Sequence, residues 1–232
     1  MKRHSVHGAR RASGFTLVEL LVVISIIGLL IAILVPSLNG ARRTSKRVAC
    51  GGNLRSLGQA MRMYLNDSND FLPVVEYVPS LPINPSHARP ALATVLRPYV
   101  EKNTEAPKDP DEELKLDGNE VFHCPADQPG KIEREGQNNG LSYFETEKSS
   151  YMFNTRLYMM RDSVSFTDGT FDNPVKLSEI VNSERAKRYY GSKPAEEDIW
   201  LMRDYAPFHG KAGQKHSTNY LYLDGRVADL QR

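Results

Sequence analysis

The chain has 232 residues, a formal net charge of +2 and 40% hydrophobic residues. That length holds one modest domain plus an extra segment, since domains cluster near ~100–150 residues. Four of its basic residues, Lys2, Arg3, Arg10 and Arg11, precede any apolar stretch, and +2 less four leaves −2 for the remainder, which argues against a nucleic-acid surface.

From Phe15 to Val35 run 21 residues with one charge, Glu19. At ~1.5 Å per residue such a helix is about 32 Å long, enough for a ~30 Å hydrocarbon core. A lone carboxylate near the start of that span costs on the order of 2.5–3.5 kcal/mol at mid-membrane and less near the edge, so it marks a functional position whose partner has to be found. The positive-inside count is a tie, because Arg42, Arg43, Lys46 and Arg47 follow the span as closely as the basic leader precedes it. An ordinary secretory signal fits poorly. Its apolar core is ~7–15 residues and ends in a small-residue cleavage site, which Ser37-Leu38-Asn39-Gly40-Ala41 does not supply.

Gly14-Phe15-Thr16-Leu17-Val18-Glu19-Leu20-Leu21 resembles the processing site of type IV prepilins and type II secretion pseudopilins. The resemblance implies that residues 1–14 are a leader cut off after Gly14 by a prepilin peptidase, which then methylates the amino group of Phe15. Residues 15–35 become the transmembrane and assembly half of a long helix, with Glu19 and Pro36 at the fifth and twenty-second mature positions. It further implies a structural subunit, not an enzyme, assembling into a type II secretion pseudopilus or a type IV pilus-like fibre. The implied partners are other pilin-like subunits, an inner-membrane assembly platform and membrane lipid, with no nucleic acid. The implied location is the cell inner membrane, single-pass, with the C-terminal domain periplasmic or extracellular. Physical chemistry agrees: two staggered helices can match a Phe15 ammonium with a Glu19 carboxylate, and an unpaired buried charge costs several kcal/mol. The alternative is a non-polymerising, membrane-anchored extracytoplasmic binding module exported by the same peptidase.

Pro36 removes one backbone hydrogen bond from the helix. The apolar pattern then resumes at Cys50, Leu54, Leu57, Met61, Tyr64 and Leu65, one stripe at spacings of three and four. Gly51-Gly52 is a weak point, at roughly 1 kcal/mol each relative to alanine. Asn66 to Asp70 ends the helix. Residues 36–70 are thus expected to lie on a globular α+β domain, residues 71–232, built around an antiparallel sheet from residues 119–232. The run Cys50-Gly51-Gly52-Asn53-Leu54-Arg55-Ser56-Leu57-Gly58, then Tyr64 and Phe71-Leu72-Pro73, is similar to the bacterial group with a prepilin-type N-terminus and a C-terminal H-X9-DG processing-associated domain.

Five prolines between Pro73 and Pro90 forbid a continuous helix or central strand there. Ala91 to Val100 reads as a short helix, and 101–118 as a solvated acidic loop. Asp109, Asp111, Glu112 and Glu113 lack the alternating oxygen ligands of a calcium loop. Some pseudopilins bind calcium, but no motif supports it here, and no cofactor or metal is expected. Val121 to Pro125 reads as a strand closed by proline. In the group that this chain resembles, a Cys-Pro stands here ahead of a Ser-Tyr strand, matched by Ser150 to Asn154. With Cys50 on the helix stripe and the domain outside the cytoplasm, where disulfides persist, a Cys50–Cys124 bridge is expected, with two buried free thiols as the alternative.

Residues 128–147 read as a polar loop, and 163–171 as a hairpin turning at Asp168-Gly169. Pro174 to Ile180 reads as a helical turn. Ala186 to Tyr190 and Ile199 to Tyr205 read as strands, with Trp200 packing inside. His216 to Val227 resembles the H-X9-DG mark through His216, Asn219, Asp224 and Gly225, although only seven residues separate His216 from Asp224. A hairpin turning at Asp224-Gly225 is the structural reading of the same residues. A hydrolytic or zinc site from His123, His209, His216 and Asp224 lacks ligand spacing, and no Gly-x-Ser-x-Gly elbow occurs.

Overall fold

A computed structural model describes residues 16–76, 89–100, 120–130, 140–160, 174–191 and 194–229. Gly14, Phe15, the acidic cluster at 109–113 and the hairpin at 163–171 lie outside those residues. The chain divides into two compact units between Arg42 and Arg43. A 51-residue helix, α1 (Leu17–Asp67), contributes to both.

In the first unit every described side chain is exposed, Leu17 at 78% and Val23 at 46%. This part of α1 is long and apolar enough to cross a membrane. Pro36 sits inside the helix, where it cannot donate to the Ala32 carbonyl, yet the helix continues through it.

The second unit is built on the remainder of α1. Cys50, Leu54, Leu57, Met61 and Leu65 are buried and Tyr64 is half-buried, so the 3.6-residue stripe is the face turned to the core. Opposite it stands a four-stranded antiparallel sheet in the order β1 (Tyr151–Phe153), β2 (Trp200–Asp204), β3 (Tyr220–Tyr222) and β4 (Val227–Ala228). Helix and sheet meet closely where α1 has no side chains. A Cβ on Gly58 would stand 3.0 Å from Leu221, and one on Gly51 3.7 Å from Val227. Gly51 is therefore a contact point, whereas a Cβ at Gly52 would meet no described atom within 4 Å, and the helix runs through both without a break.

Short helices close the edges: α2 (Leu92–Val100), α3 (Tyr143–Glu147), α4 (Leu177–Asn182) and α5 (Glu184–Tyr190). The fold is α+β and pilin-like, a long N-terminal helix followed by a domain with an antiparallel four-stranded sheet.

Four local expectations are corrected. Val121 to Pro125 is not a strand, because Glu120–Phe122 forms a 3-10 turn that leads into Cys124. Ala186 to Tyr190 is helical, because the Ser183 side chain accepts from the Ala186 N–H and caps it. The polar run 128–147 contains α3, set by a capping box between Ser142 and Glu145. Trp200 is half-buried, while Ile199 and Leu201 are buried on the core side. An irregularity between Trp200 and Met202 shifts the register of β2 against β3 there.

Candidate functional site

The acid of the apolar segment is held by its own helix. Thr16 precedes α1, and its N–H and hydroxyl both donate to Glu19 Oε2, at 2.9 and 2.7 Å. The Glu19 N–H donates back to Thr16 Oγ1 at 3.2 Å. This is a reciprocal capping arrangement, Thr-x-x-Glu, and it satisfies N–H groups that the first turn leaves without helical partners. All these carboxylate bonds use Oε2, so among the described residues Oε1 takes none. Cutting after Gly14 would leave Thr16 and this cap intact and place a new ammonium one residue before it.

A disulfide and several polar contacts join the rear of α1 to the sheet side of its unit. Cys50 and Cys124 form a disulfide, Cα to Cα 4.9 Å, with both residues fully buried. Beside it, Tyr151 OH donates to the Cys50 carbonyl at 3.3 Å, and Asn53 Nδ2 donates to the His123 carbonyl at 2.8 Å. Farther along, Arg47 meets Asp229 at 3.4 Å and Arg62 Nη2 donates to the Leu223 carbonyl at 3.4 Å.

A buried polar group borders the disulfide. His209 Nε2 lies 3.8 Å from Cys124 Sγ, 3.4 Å from Asp204 Oδ2 and 3.1 Å from Asn219 Nδ2. The Asn219 N–H donates to Asp204 Oδ2 at 2.7 Å. Cys50, Cys124 and His209 converge as metal ligands do, but disulfide sulfurs are not the thiolates that a metal takes. Burial pushes the Asp204 carboxyl above its ordinary 3.8, outweighing the opposing contacts from His209 and the Asn219 N–H. A carboxyl that holds its proton more tightly when folded contributes stability that is present below about pH 4 and lost as pH rises through the folded value. Replacing Asp204 by asparagine is therefore expected to lower the denaturant midpoint at about pH 4 relative to that at about pH 7, compared with the same gap in the wild type. An unchanged gap would remove Asp204 from this role.

The residues of the C-terminal motif do not form one centre. His216, in the left-handed region at φ 67°, pairs through Nδ1 with Asp229 Oδ2 at 2.7 Å, and its N–H donates to Oδ1 of the same carboxylate. Asp229 is also the partner of Arg47, so His216 and α1 share one acid. Asp224 accepts from the Arg226 N–H at 2.8 Å. His123 stacks on Phe144. The four residues weighed for a hydrolytic or zinc site thus have separate partners. The hairpin turn is centred on Leu223-Asp224, one residue earlier than expected, with Gly225 N–H bonded to the Tyr222 carbonyl at 2.9 Å and Gly225 at φ 87°. A Cβ at Gly225 would also lie 2.9 Å from Arg62 Nη2. Asp204 and its pairing with His209 had no sequence signal, because Asp204 ends β2 and His209 is returned to it by the loop that follows.

Comparison with known proteins bears on the first of these sites. Residues 9–35 match the family model described as the prokaryotic N-terminal methylation motif. The chain carries a prepilin-type N-terminus. It is 40% identical over 62 residues to the type IV wide pilus major component of Thermus thermophilus, covering 27% of this chain and 47% of that protein. It is 39% identical over 62 residues to type II secretion system core protein G of Aeromonas hydrophila, covering 27% and 43%. The Pseudomonas aeruginosa core protein G is 36% identical over 59 residues, covering 25% and 42%. The chain spans less than half the length of the curated relatives it matches. No solved structure is significantly similar to it. The prepilin-type segment contains the Thr16–Glu19 cap and ends one residue before Pro36.

Proposed function

We propose that the chain is a pilin-like structural subunit, cut after Gly14 and N-methylated at Phe15, that assembles through the front half of α1 into a pseudopilus or a type IV pilus-like fibre. The observation that carries the reading is the overlap of a methylation motif, residues 9–35, with an apolar helix segment, described from Leu17 onward, whose apolar side chains are all exposed. About 25 cal/mol is gained per Å² of apolar surface removed from water. A segment this exposed therefore belongs in lipid before assembly and among neighbouring helices afterwards. Glu19 Oε1, which takes no hydrogen bond among the described residues, is the acceptor offered to a neighbour's Phe15 ammonium.

Residues 15–35 are then the transmembrane and assembly half, and residues 71–232 complete a domain outside the cytoplasm, where the Cys50–Cys124 bridge is stable. The partners of this reading are a prepilin peptidase, other pilin-like subunits and an inner-membrane assembly platform. The relatives bear the names of a pilus component and a secretion-system core protein, which supports a structural role over an enzymatic one.

The mature N-terminus tests the reading. Membranes from a host with a prepilin peptidase are expected to yield a chain starting at Phe15 with one added methyl group, by mass spectrometry. A chain that still begins at Met1 overturns it.

A further inference from the structure

The globular unit carries a cationic cleft that the filament reading does not use. Its cavity of about 470 Å³ is lined by α1 and by the loop that follows β2. The helix supplies Arg43 and Lys46, and the loop supplies Pro207, Phe208, Lys211 and Gln214. Arg43 and Lys211 are exposed and Lys46 is half-buried, so a ligand in the cavity reaches all three.

Three features define the occupant. The first is charge of a single sign. Among the described residues, the lining holds the cations Arg43, Lys46 and Lys211 and no carboxylate. Their side chains make no hydrogen bond or ion pair among the described residues, whereas Arg47 and Arg62 of the same helix are taken up by Asp229 and the Leu223 carbonyl. The second is an apolar wall, Pro207 and Phe208, beside those cations. The third is distance from the apolar segment. Arg43 stands eight residues after Val35, about 12 Å along a helix. The headgroup layer extends about 5–8 Å beyond the hydrocarbon core on each side. Helical side chains lean toward the N-terminus of their helix, which for Arg43 shortens the remaining gap. With the domain outside the cytoplasm, Arg42, Arg43, Lys46 and Arg47 also fall on the side of the span where lysine and arginine are scarce, so their presence there calls for an anionic partner.

We infer that this cleft binds the headgroup of an anionic phospholipid, with its phosphate among Arg43, Lys46 and Lys211 and its glycerol carbons against Phe208. Lysine and arginine next to a membrane gain from anionic headgroups, and the gain falls off within a Debye length, so closeness to the span is part of the site. A zwitterionic headgroup brings an ammonium of its own to the same three cations. Free phosphate leaves the Pro207 and Phe208 wall unused. A nucleic-acid strand needs cations spaced along a groove that tracks its backbone, which a closed cluster of three does not supply. The inference rests on the membrane-anchored part of the proposed function and holds whether or not the chain polymerises.

Full-length protein in neutral detergent micelles is titrated with dioleoyl phosphatidylglycerol and, separately, with dioleoyl phosphatidylcholine. Lipid retention is counted by native mass spectrometry, and the unfolding midpoint is followed by emission of Trp200, the single tryptophan. A ligand that binds only the folded chain raises that midpoint. Phosphatidylglycerol is expected to be retained and to raise it, and phosphatidylcholine to do neither. Lys46→Gln with Lys211→Gln is expected to weaken phosphatidylglycerol binding about tenfold or more. The midpoint of this variant in phosphatidylcholine micelles should match the wild type, which shows that it folds. Arg188→Gln, at an exposed cation of α5 outside the cleft, makes a single charge change elsewhere and should leave lipid binding as it is. Cations of the leader are common to every variant and cancel. Equal retention of the two lipids overturns the proposal, and so does phosphatidylglycerol binding that survives Lys46→Gln with Lys211→Gln. An equal midpoint shift from inorganic phosphate alone overturns the lipid as the source of the anion. Tighter binding of a short single-stranded DNA than of phosphatidylglycerol overturns it as well. None of these readouts depends on cleavage after Gly14, so the two proposals fail separately.

Discussion

On the proposed filament reading, replacing Glu19 by alanine is expected to abolish incorporation into filaments and to leave cleavage after Gly14 in place. The expected readout is crosslinking of intact cells, where a ladder of multimers from the wild type collapses to monomer in the variant. The argument is one of magnitudes. Within one chain Glu19 contributes a helix cap, and losing a cap costs about 1 kcal/mol of helix stability. Between chains it would neutralise an ammonium that otherwise enters an apolar bundle uncompensated, and that costs on the order of 3–5 kcal/mol. These two roles can be separated, because Thr16 supplies the hydroxyl of the cap but none of the charge. Thr16→Ala removes the reciprocal hydroxyl bonds and should leave the ladder nearly intact, whereas Glu19→Ala and Glu19→Gln should both remove it. If Thr16→Ala and Glu19→Ala weaken the ladder equally, the acid acts only on its own helix. A ladder that survives Glu19→Ala returns the chain to the anchored, non-polymerising alternative.

What could be read in advance was what repeats or is punctuated. The stripe from Cys50 to Leu65 was legible because a helix buries every third or fourth residue, and all of those side chains are buried or half-buried. The pairing of β3 with β4 was legible from Asp224-Gly225, since a left-handed glycine is required there. Failures came where a local signal competed with another. Ala186 to Tyr190 ends in two tyrosines, which favour strands, yet Ser183 and Glu184 in front of it carry a helix start. Ser142 and Glu145 carried the same kind of signal inside a polar run. Cys124 follows a 3-10 turn because its run of apolar residues is too short to decide between strand and turn. Trp200 faces outward because the register shift in β2 reverses which residues the alternation buries, and no local pattern announces such a shift. The Asp204–His209 pair was out of reach for another reason. Asp204 ends β2 and His209 follows in the next loop, and no local pattern marks that this loop turns its imidazole back onto the buried end of the strand.

Removing both cysteines, as Cys50→Ala with Cys124→Ala, should lower the stability of the globular unit by about 4 kcal/mol on the chain-entropy account, because the bridge closes a loop with a sequence separation of 74 residues. Alanine is the cleaner replacement. Serine would bury a hydroxyl in an apolar place, and a single substitution would leave a thiol free to pair between chains. Four kcal/mol is a large share of the roughly 5–15 kcal/mol by which domains are stable, so the denaturant midpoint of the double variant should fall far below that of the wild type. The polar tethers cannot replace it. The Arg47–Asp229 pair is partly exposed, at 30% and 24% for its side chains, and such pairs are typically worth about 1 kcal/mol or less. Arg47→Ala should accordingly shift the midpoint little, and the contrast between the two variants is the test. Equal small shifts would mean that Leu54, Leu57 and Met61 hold the helix to the sheet by apolar burial alone. The expected order places the bridge first, because it restricts the unfolded chain as well as joining α1 to the segment that leads into β1, and neither the ion pair nor the apolar stripe does both.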